Sequence, residues 1–149
     1  MMRRISVQEA NFDATTELAA LSAGAGGVAS FIGVVRGEVA GRALAALRLE
    51  HYPGMTEKAL DQLAATAEAR WALTGCSIIH RIGRLTPGQN IVLVAAASRH
   101  RAAALAATAY LIDRLKTDAP FWKAEEFADG SVQWVAARES DDAAASSWS

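Results

Sequence analysis

The chain has 149 residues, a formal charge of −1 at neutral pH and 52% hydrophobic residues. That length fits one domain with its own core, and the balanced charge excludes a global field for nucleic acid or an anionic membrane. The single cysteine, Cys76, excludes an internal disulfide, and the scattered His51, His80 and His100 lack metal-ligand spacing.

Arg3 to Val7 reads as a first strand. The Arg3-Arg4 pair has no apolar segment behind it, and charge interrupts every long apolar run, so a cytoplasmic protein without a membrane segment is expected. Asp13 predicts the cap of a helix through Thr15, Leu18 and Leu21, stopped by the glycines at 24, 26 and 27. The β-branched run from Val28 to Val35 reads as a central strand, with Arg36 at its end. Leu44 to Tyr52 is another strand, Leu47 and Leu49 on one face and Arg48 and Glu50 on the other.

Pro53-Gly54 makes a turn, and Thr56 is the expected N-cap of a helix whose inner positions are Leu60, Leu63, Ala67 and Trp71. Strands at Cys76–Ile82 and Ile91–Ala97 flank Pro87-Gly88, a pair suited to a type II turn. Ser98 predicts the cap of a long helix, from about Arg99 to Lys116, buried along Ala102, Leu105, Ala109, Ile112 and Leu115. Pro120 ends it, and a last strand runs from Val132 to Ala136 after Asp129-Gly130. Residues 1–139 form the domain, and 140–149, rich in Ser, Asp and Ala, read as a frayed tail. Strands arriving in hairpins beside two main helices give an α+β class.

Two stretches carry candidate chemistry. In Leu115–Glu125, L-K-T-D-A-P-F-W-K-A-E, two ammonium groups flank an aromatic turn. Lysines that do chemistry need a partly desolvated setting of this kind. The competing reading makes Lys116 a favourable cation at a helix C-terminus and Lys123 a surface charge packed on Trp122. The second stretch, Ser98-Arg99-His100-Arg101, puts cations where helix N–H groups already attract an anion. Basic residues at a strand end are also common, and Arg36 and Arg138 share that ambiguity. Dinucleotide, P-loop and nucleophile-elbow motifs are absent from the sequence.

Beyond these features, the chain resembles the large, catalytic subunit of molybdopterin synthase. The resemblance rests on L-E-H-Y-P-G-M-T-E-K-A-L (Leu49–Leu60), I-H-R-I-G (Ile79–Gly83), S-x-H-R (Ser98–Arg101), L-K-T-x-A-P-F-W-K (Leu115–Lys123) and W-V-x-A-R-E-S-D (Trp134–Asp141). It implies an α/β hammerhead fold and a homodimer that binds a small ubiquitin-like sulfur carrier at each end, a heterotetramer in all. The carrier's C-terminal Gly-Gly thiocarboxylate would enter the active site, and two sulfurs would pass to cyclic pyranopterin monophosphate, giving the dithiolene of molybdopterin. It further implies catalysis by Lys116 and Lys123, a substrate pocket lined by Arg36, His100, Arg101, Arg138 and Glu125, and no metal or other cofactor. Val34 and Ala124 depart from the family pattern by removing positive charge near that pocket.

His100-Arg101 and Lys116 stand fifteen or so residues apart on one helix, roughly 22 Å at 1.5 Å per residue. A pterin cannot touch both within one subunit, so a site shared across the dimer is expected. Two other classes stay open on the sequence: a non-catalytic docking module for the carrier, and a phosphate-binding regulatory domain using only Arg36 and Ser98–Arg101.

Overall fold

The computed structural model describes residues 2–135 and 139–148, with only the backbone described at Glu139 and Ser140. In chain order it contains β1 (Met2–Gln8), α1 (Ala14–Ser22), β2 (Gly27–Val34), β3 (Glu38–Val39), β4 (Arg42–His51), α2 (Met55–Trp71) and β5 (Gly75–Arg81). There follow β6 (Gly83–Leu85), β7 (Asn90–Ser98), α3 (Arg101–Asp118), β8 (Phe121–Phe127), β9 (Val132–Val135) and α4 (Glu139–Ser146). One sheet has the order β1-β5-β7-β2; the other runs β3-β4-β8-β9, with β6 also on β4. Only the β1–β5 pairing is parallel among the described strands. This is the α+β class expected.

The first sheet is covered on both faces. Cys76, Ile78, Val92 and Val94 meet Leu60, Leu63, Leu111 and Leu115 of α2 and α3 on one side. On the other, Ile79 and Leu93 meet Phe12, while Ala95 and Ala97 meet Leu21 of α1. This explains why every residue of β5 is buried and why the strand reads as a continuous apolar run rather than an alternation. Each large aliphatic so placed contributes about 1.5–3 kcal/mol relative to exposure. The second sheet has a smaller core of Val35, Leu44, Leu47, Leu49, Leu85 and Phe127.

Local signals set several boundaries as expected. Thr16 N–H donates to the Asp13 carboxylate at the start of α1. Gln89 N–H donates to the Thr86 carbonyl around Gly88, whose φ of +87° is the left-handed position a type II turn requires.

Other expectations are corrected. β2 is an edge strand, not a central one, with Val28, Phe31, Ile32 and Val34 between 36% and 47% exposed. An apolar run alone does not tell a strand with two neighbours from a strand with one. The N-cap of α2 is Gly54; Thr56 lies inside the first turn, where its hydroxyl accepts from Tyr52 N–H and donates to the Pro120 carbonyl. The N-cap of α3 is His100, and Ser98 Oγ accepts a long 3.4 Å bond from His100 N–H.

The inner face of α3 is Ala104, Ala107, Thr108, Tyr110, Leu111 and Leu115, whereas Leu105 is 62% exposed. In so alanine-rich a helix, several stripes look equally apolar. The close approach to β2, where the Thr108 hydroxyl donates to the Ala29 carbonyl, selects the face of small residues. The end of the chain is not frayed through 148: α4 forms, and Trp148 packs on Trp71 and Tyr110 while its indole N–H donates to Asp113. One aromatic with a polar handle supplies the anchor that a Ser/Asp/Ala composition conceals.

Candidate active site

Two adjoining cavities, of about 160 and about 450 Å³, open where the end of α3 meets the second sheet. Leu47, Ile91, Lys116, Lys123 and Asp141 line both. Lys116 stands in the last turn of α3, where the helix dipole favours a cation. Asp118 is the final helical residue, and Pro120 turns the chain into β8. The Thr56 hydroxyl holds the Pro120 carbonyl at 3.0 Å, tying the start of β8 to α2.

Strand alternation then decides which side chains face the cavity. Lys123, Glu125 and Phe127 point inward, while Trp122 is 47% exposed on the outer face. Of the two aromatics between the lysines, Phe121 is therefore the one that builds the site. Glu125 is 8% exposed and lines the larger cavity. Arg36, immediately beyond β2, lines it too. Val35 fixes that corner, since its N–H donates to the Gln89 carbonyl and its carbonyl accepts from Gly88 N–H.

Four of the seven candidates from the sequence thus converge: Lys116, Lys123, Arg36 and Glu125. His100 and Arg101 do not join them. They stand at the opposite end of α3, whose 18 residues span roughly 27 Å. There the backbone of Arg101 lies against the start of β2, with its Cα 3.5 Å from where a Gly27 Cβ would be. Gly26 approaches more closely still: a Cβ there would fall 1.9 Å from the Arg99 carbonyl oxygen. Arg138 lies outside the described residues.

Sequence reasoning missed His80 and Asp141. His80 is 5% exposed in β5 and lines the smaller cavity, its ring stacked on Phe121 at 3.8 Å and 20°. Burial pushes its pKa down to about 4; Lys116, Lys123 and His51 add to the shift, and the bond to the Arg81 carbonyl opposes it. The ring is therefore neutral in the folded protein. Both residues occur in stretches that carry the resemblance, I-H-R-I-G and W-V-x-A-R-E-S-D, but neither has a local pattern that betrays a site. Cys76 is fully buried, and burial pushes its thiol up to about 12, so it stays protonated.

The arrangement suits an anionic reactant. Two ammonium groups and a guanidinium border the recess against the carboxylates of Glu125 and Asp141, which leaves one net positive charge for an incoming anion. Among the described residues no cluster of three His, Cys, Asp or Glu side chains could hold a metal ion, and no helix is long and apolar enough to cross a membrane.

Comparison with known proteins gives a family match and similar solved structures. Residues 6–118 match a family model described as MoaE protein. The chain is 53% identical over 147 residues to the molybdopterin synthase catalytic subunit of Pseudomonas aeruginosa, covering 97% of each chain. It is similar to the solved structure of the molybdopterin biosynthesis MoaE protein from Burkholderia ambifaria, with a TM-score of 0.83, 47% identity and coverage of 99% and 98%. It is also similar to the crystal structure of molybdopterin synthase from Staphylococcus aureus, with a TM-score of 0.85, 31% identity and coverage of 91% and 99%.

Proposed function

Because the chain belongs to the MoaE family, we propose that its cavity carries out the sulfur transfer of a molybdopterin synthase in the cytoplasm. It is a sulfur-transferring enzyme of molybdenum cofactor biosynthesis. The sulfur comes from the C-terminal thiocarboxylate of a small ubiquitin-like carrier and goes to cyclic pyranopterin monophosphate. In each transfer the thiocarboxylate sulfur forms a C–S bond to the pterin side chain as an oxygen substituent leaves that carbon, and water then cleaves the acyl–sulfur bond, leaving the carrier with a carboxylate. One observation carries this reading: Lys116 from α3 and Lys123 from β8 meet on one cavity.

Lys116 is the principal group. Its ammonium holds the anionic tail and stabilises charge that develops as sulfur leaves it. Lys123 assists from β8, either in proton transfer or in stabilising the intermediate. Arg36 and Glu125 border the larger cavity, where the pterin sits, Arg36 as a donor to anionic oxygens.

Two copies of the chain complete the site. His100 and Arg101 of one protomer anchor the cyclic phosphate bound at the lysines of the other. The edge strand β2 supports this arrangement. Gly27–Val34 contains neither charge nor proline, the usual protections of an exposed edge. Antiparallel pairing of β2 with its own copy about a two-fold axis sets the Gly27 end of one strand beside the Val34 end of the other. The Gly27 end carries Arg101, and the Val34 end opens on the cavity. Arg138 belongs to the same pocket in this reading. A solved dimer in which the nearest Lys116–Arg101 pair, counted across protomers, lies beyond about 15 Å refutes the shared site, since two long side chains and a small ligand cannot bridge more.

The test is a single-turnover assay with thiocarboxylated carrier and cyclic pyranopterin monophosphate. Wild type forms product, and Lys116→Ala loses that capacity while still folding and binding the carrier. A wild-type protein that binds the carrier but forms no product is a docking module instead.

A further inference from the structure

One buried polar side chain at the cavity has no part in the reaction as described. His80 lies in β5, the most enclosed strand, yet its ring reaches the recess that holds Lys116 and Lys123. Its orientation is fixed. Nδ1 stands 2.8 Å from the Arg81 carbonyl, which can only accept, so Nδ1 carries the hydrogen. Phe121 stacks on the ring face. Arg81 is itself clamped, its guanidinium donating to the carbonyls of Glu9 and Asn90. The nitrogen left for the cavity is Nε2, with a free lone pair.

The charged and titratable groups around it come from four elements. Lys116 approaches from α3, Lys123 from β8 and His51 from the end of β4, while Asp141 of α4 lines the same recess. Of the two lysines, Lys116 acts on the ring more strongly. Other residue types at position 80 would serve an anion-binding site poorly. Asp141 and Glu125 already bring two carboxylates to these cavities, and a third at position 80 would cancel the net charge that Lys116, Lys123 and Arg36 leave for the incoming thiocarboxylate. An apolar side chain would leave Lys116 only those carboxylates as acceptors. A neutral imidazole directs an ammonium without cancelling its charge.

We propose that His80 is a positioning residue for sulfur transfer: its Nε2 accepts a hydrogen bond from the Lys116 ammonium and holds it toward the cavity. This rests on the sulfur-transfer reading above. The tests use the full-length enzyme with thiocarboxylated carrier and cyclic pyranopterin monophosphate. His80→Phe keeps a ring against Phe121 and removes the acceptor; His80→Gln returns an acceptor near the Nε2 position. The single-turnover rate at saturating substrate falls roughly 10- to 100-fold in His80→Phe with half-saturation unchanged, and His80→Gln recovers most of it. Any limb of the wild-type rate near 6.5, the ordinary histidine value, persists in His80→Gln.

A His80→Phe enzyme as fast as wild type overturns the proposal. So does a limb near 6.5 that His80→Gln abolishes, because the ring would then be carrying a proton. Imidazole ¹⁵N spectra of the unsubstituted ring give a check that needs neither variant of His80. The Nδ1–H tautomer is expected, with an Nε2 signal that moves in Lys116→Ala and stays in Lys123→Ala; an Nε2 signal indifferent to Lys116→Ala sinks the idea. A wild-type enzyme without activity counts against the sulfur-transfer reading, and these spectra still decide the role of His80.

Discussion

The two ends of α3 carry similar charge in different surroundings. At its start, His100 and Arg101 sit beside an edge strand, and neither lines either of the two cavities described. At its finish, Lys116 joins Lys123, Glu125 and Arg36 around two adjoining cavities, with His80 and Phe121 lining the smaller one. Cationic side chains alone do not make a site. A cavity and partners that fix direction do, and only the C-terminal end has both within one protomer. In the proposed shared site the N-terminal end supplies charge for a cavity that another copy provides.

The largest effect expected from breaking this comparison is at the walled end. Lys116→Ala lowers the single-turnover rate roughly 100- to 1,000-fold. Because the side chain is exposed, denaturant midpoints shift by no more than about 1 kcal/mol. A rate loss matched by an equal loss of stability would make Lys116 a structural cation.

Second in size is a pH effect at the same end. His80 is neutral when folded, with its pKa lowered to about 4, and takes up a proton near 6.5 when unfolded. The unfolded chain thus binds more protons across that window. The contribution is complete above 6.5 and is lost as pH falls toward about 4, up to about 3 kcal/mol. Urea titrations from pH 7 to 4.5 should show this slope, and His80→Gln should flatten it. An unchanged slope in the variant would assign the pH dependence to other groups.

The open end responds through packing. Gly26→Ala drives a methyl group into the Arg99 carbonyl and costs roughly 1–3 kcal/mol, whereas Gly37→Ala, with nothing within 4 Å, stays within about 0.5 kcal/mol. Equal midpoints for the two variants would show that the Gly26–Arg99 approach is not enforced. Arg101→Ala is the mildest change. If Arg101 binds the substrate phosphate as proposed, half-saturation rises roughly tenfold, with little change in rate at saturation. A fall in the saturated rate instead would place Arg101 in the chemical step.

Some of this was legible in the residues. The alternation from Leu44 to Tyr52, Asp13 as a cap and the Pro87-Gly88 turn each act through neighbours in sequence, and each forms as read. The lysine stretch was visible because proline, aromatics and cations are adjacent. What stayed hidden depends on distant partners. That β2 lies at the sheet edge is decided by its pairing with β7, more than fifty residues further along the chain. The buried face of α3 is chosen by contacts to β2, because alanine offers no local preference. His80 looks like any strand residue until Phe121, 41 positions later, stacks on it. Trp148 looks like part of a polar tail until α2 and α3 present Trp71 and Tyr110.

The central claim is that one site takes lysines from one protomer and His100-Arg101 from another, and subunit mixing tests it most directly. Lys116→Ala chains, nearly inactive alone, and Arg101→Ala chains, about tenfold slower than wild type at low substrate, are co-expressed so that mixed dimers form, and the single-turnover rate is measured at low substrate. A shared site leaves one intact site in each mixed dimer, so activity returns to about a quarter of wild type with random pairing. If each chain holds a complete site, every site in the mixture carries a lesion, and activity stays at the level of the separate variants.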